Sequence, residues 1–339
     1  MLVLKTHMPR VSISLATYNS ERYARTFCRS LLSQTFTDWE LLIVDNNSFD
    51  HSVEIIQELI PNARIFRQKK NLGFARAHNL VIGWTSSPYV FVVNHDMIFE
   101  PDCLEKMVAA MDRVDDVAAV GGALLYWDFE EHKTTRQIDS MGLSIMKSYR
   151  IVDRLQGEQM TQREAEQVFG VSGAMVLLRR AALDAVKIPV RNTGSAHGFE
   201  FFDEDFFCYK EDADLAWRLA IAGWKSYVDP VAVAYHHRNV TGQSAGWHDR
   251  KQRREINRYS YRNHLLMIYK NHFWPVTLRH LLAIKWFEFQ KFWYLLFLDR
   301  SSLTGLGEAL RFYPKMRRKR RQIQAKRRLT TREFNEWLQ

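Results

Sequence analysis

Cysteine is scarce in this chain: Cys28, Cys103 and Cys208 are its only three, far apart and odd in number. Without a Cys-x-x-Cys pair there is no disulfide framework and no cysteine zinc site to expect, and a reducing cytoplasm suits the chain best. An export signal is also lacking. After Met1 the apolar stretch runs only from Leu2 to Leu4 before Lys5, too short for a signal-peptide core, so the beginning of the chain is expected to stay in the cytosol. Acidic residues are missing from one stretch in particular. Arg311 to Arg328 holds ten Lys/Arg and no Asp/Glu, which equals the whole formal excess of +10. What is present in quantity argues against disorder: 46% hydrophobic and 25% charged residues are ordinary for a globular protein. At 339 residues there is room for one large domain with an appendage, or for two modest ones.

Apolar runs and helical patterns alternate over the first 120 residues or so. Val11–Leu15, Glu40–Val44, Ala63–Phe66 and Tyr89–Val93 read as short strands, and Arg22–Gln34, Ser52–Leu59 and Phe74–Trp84 as helices. The alternation predicts an α/β fold whose mostly parallel sheet is covered on both faces. Ligands gather at the carboxyl ends of the strands in such sheets. Polar clusters follow three of the predicted strands: Thr17-Tyr18-Asn19, Asp45-Asn46-Asn47-Ser48 and Asn94-His95-Asp96. Helix capping explains any one of them; three at corresponding strand ends point to a shared site.

From Ala123 to Gln167 the pattern weakens into charged turns, as in a lid or an acceptor-binding insertion. Phe169–Leu178 then reads as a buried strand with two glycines, where backbone or ligand can approach closely. Glu211–Ala222 reads as a helix stopped by Gly223, and about Lys225–Ala234 as a strand running into Tyr235-His236-His237. After about residue 250 the chain turns helical, aromatic and basic. Leu281–Leu298 is 18 residues with seven aromatics, but it also carries Lys285, Glu288 and Lys291. Spanning a bilayer would bury those charges at about 2.5–3.5 kcal/mol each, so lying in the interface is the cheaper arrangement. With the Lys/Arg cluster that follows, the segment is expected to bind an anionic membrane surface; packing on the core domain is the alternative.

Taken in order, several motifs resemble the family 2 glycosyltransferases, in particular the bacterial rhamnosyltransferase-like branch that builds surface polysaccharides. They are Val11-Ser-Ile-Ser-Leu-Ala-Thr-Tyr-Asn19, Leu42-Ile-Val-Asp-Asn-Asn-Ser48, Asn71-Leu-Gly-Phe-Ala-Arg-Ala-His-Asn79 and Val93-Asn-His-Asp96, followed by Val171-Ser-Gly-Ala174. Phe202-Asp-Glu-Asp-Phe-Phe-Cys-Tyr-Lys-Glu-Asp-Ala-Asp-Leu215 and His236 complete the set, and Arg258-Tyr-Ser-Tyr-Arg-Asn263 with Lys270-Asn271 looks like the branch's helical extension. The resemblance implies a GT-A fold over residues 1–250, with a nucleotide-binding half to about 122 and an acceptor-binding half behind it. A membrane-associating helical extension with a basic tail would then occupy 251–339.

The resemblance also implies roles. Inverting transfer needs a base for the acceptor hydroxyl, which falls to Asp212 of the Glu211-Asp212 pair. A departing nucleoside diphosphate concentrates negative charge, which a divalent cation, Mg2+ or Mn2+, absorbs as a Lewis acid. Asp96 and His236 are its expected ligands, with His237 as the alternative to His236; Asn-His-Asp stands where many relatives have Asp-x-Asp. Thr17, Tyr18, Asn19, Asp45, Asn71, Arg76, Asn79, Asn94 and Asp96 are expected at the nucleotide-sugar donor, and Gly173, Glu204, Asp205 and Trp217 at the acceptor. Asp214, four residues before Arg218, is accounted for by an intrahelical ion pair.

The expected protein is thus an inverting transferase moving a sugar, rhamnose by resemblance, to a lipid-linked or surface-polysaccharide acceptor. It would work peripherally at the cytoplasmic side of a membrane. A catalytically inactive nucleotide-sugar-binding scaffold is the alternative, supported by the incomplete Asp-x-Asp. A nucleic-acid partner is not expected: the basic residues are not interleaved with stacking aromatics, and no helix-turn-helix or RNA-binding signature occurs. A homo-oligomer is left open.

Overall fold

The computed structural model describes residues 8–190, 198–238 and 247–339, with side chains for all of these except 247–253. The leaderless start read from Met1 to Lys5 lies outside the described residues. In the front half β1 (Val11–Thr17), α1 (Glu21–Leu32), β2 (Trp39–Asp45), α2 (Ser52–Leu59), β3 (Arg64–Arg67), α3 (Gly73–Trp84) and β4 (Tyr89–Val93) follow the predicted alternation. Then come β5 (Met97–Phe99), α4 (Cys103–Asp112), β6 (Val117–Asp128), β7 (Lys133–Ser140), β8 (Leu143–Ile145), β9 (Ile151–Asp153) and β10 (Glu166–Val168). The remainder of the sheet domain is β11 (Met175–Arg179), α5 (Arg180–Val186), β12 (Ile188–Pro189), β13 (Phe199–Glu200), α6 (Glu211–Ile221) and β14 (Lys225–His236). The extension is helical: α7 (Trp247–Asn271), α8 (Trp274–Arg279), α9 (Leu281–Leu298), α10 (Thr304–Gln324) and α11 (Thr331–Glu336).

The main sheet runs β10-β14-β6-β11-β4-β1-β2-β3. Its front strands β3, β2, β1 and β4 are all parallel, and antiparallel β11 joins them to the parallel pair β6 and β14. The alternation Val11-Ser-Ile-Ser-Leu15 would leave a polar face on an exposed sheet, yet all five residues are buried. Ser14 is satisfied by His78 of α3 at 2.7 Å and Ser12 by Glu40 and Ser87, so both strand hydroxyls are buried with partners.

Register decides where the site forms. Thr17 pairs with Asp45 and Leu15 with Val93, which brings three of the polar clusters to one edge. On the other flank His236 pairs with Met97, next to Asp96. The predicted ten-residue strand Phe169–Leu178 contracts to β11, because the chain before it leaves the sheet to pack on α6: a Cβ on Gly170 would meet Ala216, and one on Gly173 would meet Asp212. The weakly patterned stretch 123–167 is mostly β-structure, including the β6–β7 and β8–β9 pairs.

The extension docks through buried charge as well as apolar contact. Phe273, Met316, Ile323 and Phe334 pack with Trp217 and Tyr149 of the sheet domain. Lys270 of α7 pairs with Asp203 and with Asp214, the latter at 2.9 Å, and Lys319 of α10 pairs with Glu200, Asp203 and Asp205. Lys319 thus belongs to the interior, as one of the ten basic residues read as a tail. Lys315 meets Asp205 at 2.6 Å, and Arg320 and Lys326 donate to backbone carbonyls. Of the ten basic residues Lys319 is buried and Lys315 and Arg320 are half-buried, while the other seven are exposed.

Candidate active site

At the edge formed by β1 and β2, short polar side chains stitch two loops together. Asn46 N donates to Thr17 O at 2.8 Å, and Ser48 N to Asp45 Oδ1 at 3.0 Å. Asn19, at φ 48°, donates its N–H to Ser48 Oγ and accepts from Phe49 N, both at 3.0 Å. The stitching leaves Tyr18 and Phe49 exposed, edge to face at 6.2 Å, as an apolar platform suited to a flat ring. Asn71 Oδ1 accepts from Gly73 N at 2.8 Å, an Asx turn leading into α3. Arg76 lies 3.9 Å from Glu204.

Next to this edge a cleft of about 450 Å³ is lined by Asn94, Asp96, Gly173, Glu211, Asp212 and His236, together with Asp153, Lys210 and Arg238. Its acid–imidazole pair follows from the register. His237 N donates to Asp96 O at 3.0 Å, tying β14 to the start of β5, and His236 Nε2 then faces Asp96 Oδ1 at 3.4 Å. His236 Nδ1 is 2.7 Å from Asp139 Oδ2, which fixes Nε2 toward the cleft. His237 instead packs among Tyr23, Trp127 and Phe129. Burial alone would lower the pKa of His236, but Asp96 and Asp139 on either side push it up to about 9.

Asp96 Oδ1 is buried without a hydrogen-bond partner. An orphaned carboxylate oxygen beside an imidazole nitrogen is a donor pair that suits a divalent cation sharing its shell with phosphate oxygens. Among the described residues no third His, Cys, Asp or Glu joins the pair, so the substrate would supply the rest of the shell.

Across the cleft, α6 opens with Glu211 and Asp212. Gly173 N donates to Asp212 Oδ2 at 3.0 Å, and the close approach needs glycine: an added Cβ would lie 3.1 Å from Asp212 Cβ. Glu211 is buried, and burial together with the charge of Asp212 pushes its pKa up to about 8. Glu211 is thereby favoured in its protonated form, as expected of an acid buried beside another acid. The loop before them is strained. Cys208 N donates to Phe206 O at 2.7 Å, closing a γ turn around Phe207 (φ 64°), and Tyr209 and Lys210 are also left-handed (φ 69° and 70°). Each such non-glycine residue costs on the order of 1 kcal/mol, a cost met where geometry matters.

Of the predicted residues, Asn71, Arg76, Asn79, Glu204, Asp205 and Trp217 stand outside this cleft. Asn79 is buried and spends its amide on Phe201, Phe202 and Glu204, fastening α3 to that segment rather than facing a donor. Trp217 is fully buried against Phe334, beyond reach of an acceptor. Glu204 and Asp205 line a smaller cleft with Lys70, Asn71, Arg76 and Lys315. Asp214 pairs with Arg218 at 2.9 Å, as the four-residue spacing implied. Unforeseen were Asp139 and Asp153, which hold Arg238 at 2.8 Å each. Their stretch carried no motif: β7 brings Asp139 to His236 through the β6–β14 pairing, and Asp153 joins through Arg238.

A parallel α/β half ending in a polar edge, joined by an antiparallel strand to a flank that carries an acidic helix start, defines a glycosyltransferase of GT-A fold. The chain belongs to glycosyl transferase family 2, whose sequence pattern matches residues 12–187. It is 28% identical over 258 residues to the N-acetylglucosaminyl-diphospho-decaprenol L-rhamnosyltransferase of Mycobacterium tuberculosis, covering 68% of this chain and 78% of that one. Its fold is similar to a mannosyltransferase from Pyrobaculum calidifontis solved with GDP-Man and Mn2+ (TM-score 0.53, 17% identity, 91% of this chain and 76% of that one). GalNAc-T7 solved with UDP, GalNAc and Mn2+ is likewise similar (TM-score 0.56, 12% identity, 78% and 48%).

Proposed function

We infer that the protein is an inverting glycosyltransferase that moves a deoxyhexose, rhamnose foremost, from a nucleoside diphosphate to a hydroxyl of a lipid-linked or surface-polysaccharide acceptor. One observation carries this reading: Asp212 opens onto the same cleft as Asp96 and His236, so a base and a diphosphate-binding pair face a single space. Asp212 takes the acceptor proton as the hydroxyl oxygen bonds to the anomeric carbon, and the bond from that carbon to the diphosphate breaks with its electron pair going to the diphosphate. Lys210 and Arg238 line the cleft and favour that charge. Asp96 and His236 would hold Mg2+ or Mn2+, which supplies Lewis-acid stabilisation of the leaving diphosphate. Rhamnose and a lipid-linked acceptor are supported by the mycobacterial relative's activity. The test is nucleoside diphosphate release from a panel of thymidine-, uridine- and guanosine-diphosphate sugars with and without Mn2+, then with lipid-linked acceptors. Release from one donor supports the reading. Nucleotide binding with no release, acceptor included, would instead support the scaffold.

The His236 pair carries its own expectation. A ligating Nε2 must be deprotonated, and His236 without a cation holds its proton up to about pH 9. Mn2+ affinity is therefore expected to rise by up to about tenfold per pH unit from 7 toward 9 and then level off. Electron paramagnetic resonance titration of free Mn2+ checks this, and the slope should vanish in His236→Asn. A flat wild-type profile would remove His236 from the cation shell.

Peripheral binding to the cytoplasmic side of a membrane completes the reading. No helix among the described residues is long and apolar enough to cross a bilayer. Yet Trp274, Leu278, Leu282, Trp286, Phe289, Trp293 and Phe297, spaced three or four apart along α8 and α9, are all exposed. Exposed Lys285, Arg279 and Arg311 add charge of the sign that anionic headgroups attract. Each large side chain sunk into the interface contributes about 1.5–3 kcal/mol. Trp286→Glu with Trp293→Glu is expected to abolish sedimentation with phosphatidylglycerol vesicles while donor hydrolysis in solution is kept. Undiminished sedimentation would place the membrane contact elsewhere.

A further inference from the structure

The strained loop that delivers Asp212 is held from outside the sheet domain. Asn263 of α7 is fully buried, and its Nδ2 lies 2.9, 2.9 and 2.8 Å from the carbonyl oxygens of Phe206, Cys208 and Tyr209. An amide nitrogen has two hydrogens, so these three acceptors share a saturated donor. Its orientation is set by Arg262, whose Nε donates to Asn263 Oδ1 at 2.9 Å. The other end of the same guanidinium donates to Asp205 O at 2.8 Å and Phe206 O at 3.0 Å, and Glu308 of α10 braces it at 3.1 Å.

The accepting carbonyls belong to the γ turn and the left-handed residues that lead directly into Glu211. Backbone in these conformations persists only where its surroundings over-determine it. Without the two side chains, the carbonyls of Phe206, Cys208 and Tyr209 would lose these donors, the first of them in a buried residue, in a segment already disfavoured locally. The sheet domain itself reaches the loop at Phe207 O, which accepts from Ala75 N at 3.2 Å, and the carbonyls on either side of it are met from α7. Arg262-Asn263 forms the end of the Arg258-Tyr-Ser-Tyr-Arg-Asn263 motif, to which the reaction itself assigns nothing.

We propose that Asn263, oriented by Arg262, is a positioning residue for Asp212: the helical extension holds the catalytic loop in its reactive conformation. The proposal rests on Asp212 being the base. It makes the extension a part of the catalytic machinery as well as an attachment, and Asp212 is placed only when α7 is seated.

The test compares Asn263→Asp, isosteric but without donors, with Asn263→Ser, which keeps one donor, in the full-length protein. A displacement of about 1 Å at a reacting group costs on the order of 100-fold, so Asn263→Asp should lower kcat by about that factor. KM for the donor and the affinity for its nucleoside diphosphate should stay within about twofold, with Asn263→Ser intermediate. Amide hydrogen exchange separates positioning from general loosening: protection should fall over 206–213 and hold in β1, β4 and β6. Should Asn263→Asp not fold, Arg262→Lys gives the same readout, since it keeps the charge beside Glu308 and loses the fork to Asp205 and Phe206. Normal kcat and unchanged exchange in a folded variant overturn the proposal. If Asp212→Asn is itself active, the assignment of the base fails, and loop exchange still decides whether Asn263 holds the turn.

Discussion

Asp212→Asn is expected to reduce sugar transfer by about 10²–10⁴-fold, the usual contribution of a positioned general base, with nucleoside diphosphate affinity nearly unchanged. The amide keeps the shape of the carboxylate and its oxygen can still accept from Gly173 N, which now donates to Oδ2 at 3.0 Å, while the bond that Oδ1 accepts from Ala213 N at 2.7 Å is given up. What it loses is the ability to take a proton. Steady-state kinetics should therefore show the loss in kcat, with KM for the donor preserved, since the proposed donor residues Thr17 and Asp45 stand at the β1–β2 edge and do not line the cleft with Asp212. A second consequence concerns Glu211. Part of the upward push on its pKa comes from the charge of Asp212, so the variant should bring Glu211 down toward the ordinary carboxyl range, visible by carboxyl-resolved NMR titration. Full activity in Asp212→Asn would remove the base from this residue.

Lys319→Met is expected to destabilise the protein by about 3–5 kcal/mol, the range for breaking a buried ion pair from one side. Lys319 is 1% exposed and is surrounded by Glu200, Asp203 and Asp205; without it two almost wholly buried carboxylates, Glu200 and Asp203, lose a counter-charge. Burial would raise the pKa of Asp203, yet Lys270 and Lys319 hold it well below the usual carboxylate range. The sign follows from that depression. The stabilisation is present above the ordinary carboxylate pKa and is lost as pH falls through the native one, so removing Lys319 should also move acid unfolding to higher pH. Thermal denaturation checks the first part, with a fall in Tm on the order of 10 °C. Adding Asp203→Asn should recover part of the loss by removing the uncompensated charge. A Tm within about 2 °C of the parent would mean that Lys319 contributes little net stability, as some buried pairs do when desolvation cancels attraction.

The front half of this fold was legible because local signals agree there: Ser52–Leu59 reads as a helix and is one, and strands β1, β2 and β4 announce themselves by apolar runs ended by Asn and Asp. Asp212, Asp96 and His236 were legible through motifs, and the register brings them to one cleft. Asp139 and Asp153 were not, because β7 and β9 pair with their neighbours in sequence, while the side chains these acids meet, His236 and Arg238, stand 85 to 99 residues further on. Trp217 was misplaced for a related reason. An aromatic on an acidic helix reads equally as a sugar platform or as core, and the covering Phe334 stands more than a hundred residues further on. Within the basic stretch the exception was Lys319: most of the run is exposed, but helical periodicity turns this one residue inward to the carboxylates, and density alone could not single it out.

The clamp made by α7 and α10 also orders events during synthesis. The sheet domain emerges from the ribosome first, but the carboxylates of Glu200 and Asp203 stay uncompensated until Lys270 and then Lys319 have been made, 67 and 116 residues after Asp203. Domains ordinarily begin to fold from the N-terminal side as they emerge. Here the polar edge of β1 and β2 can form early, while the loop before Glu211 waits for helices translated later. A chain terminated before α7 would carry the sheet's edge without the donors of Arg262 and Asn263, and its loop would be made but not held.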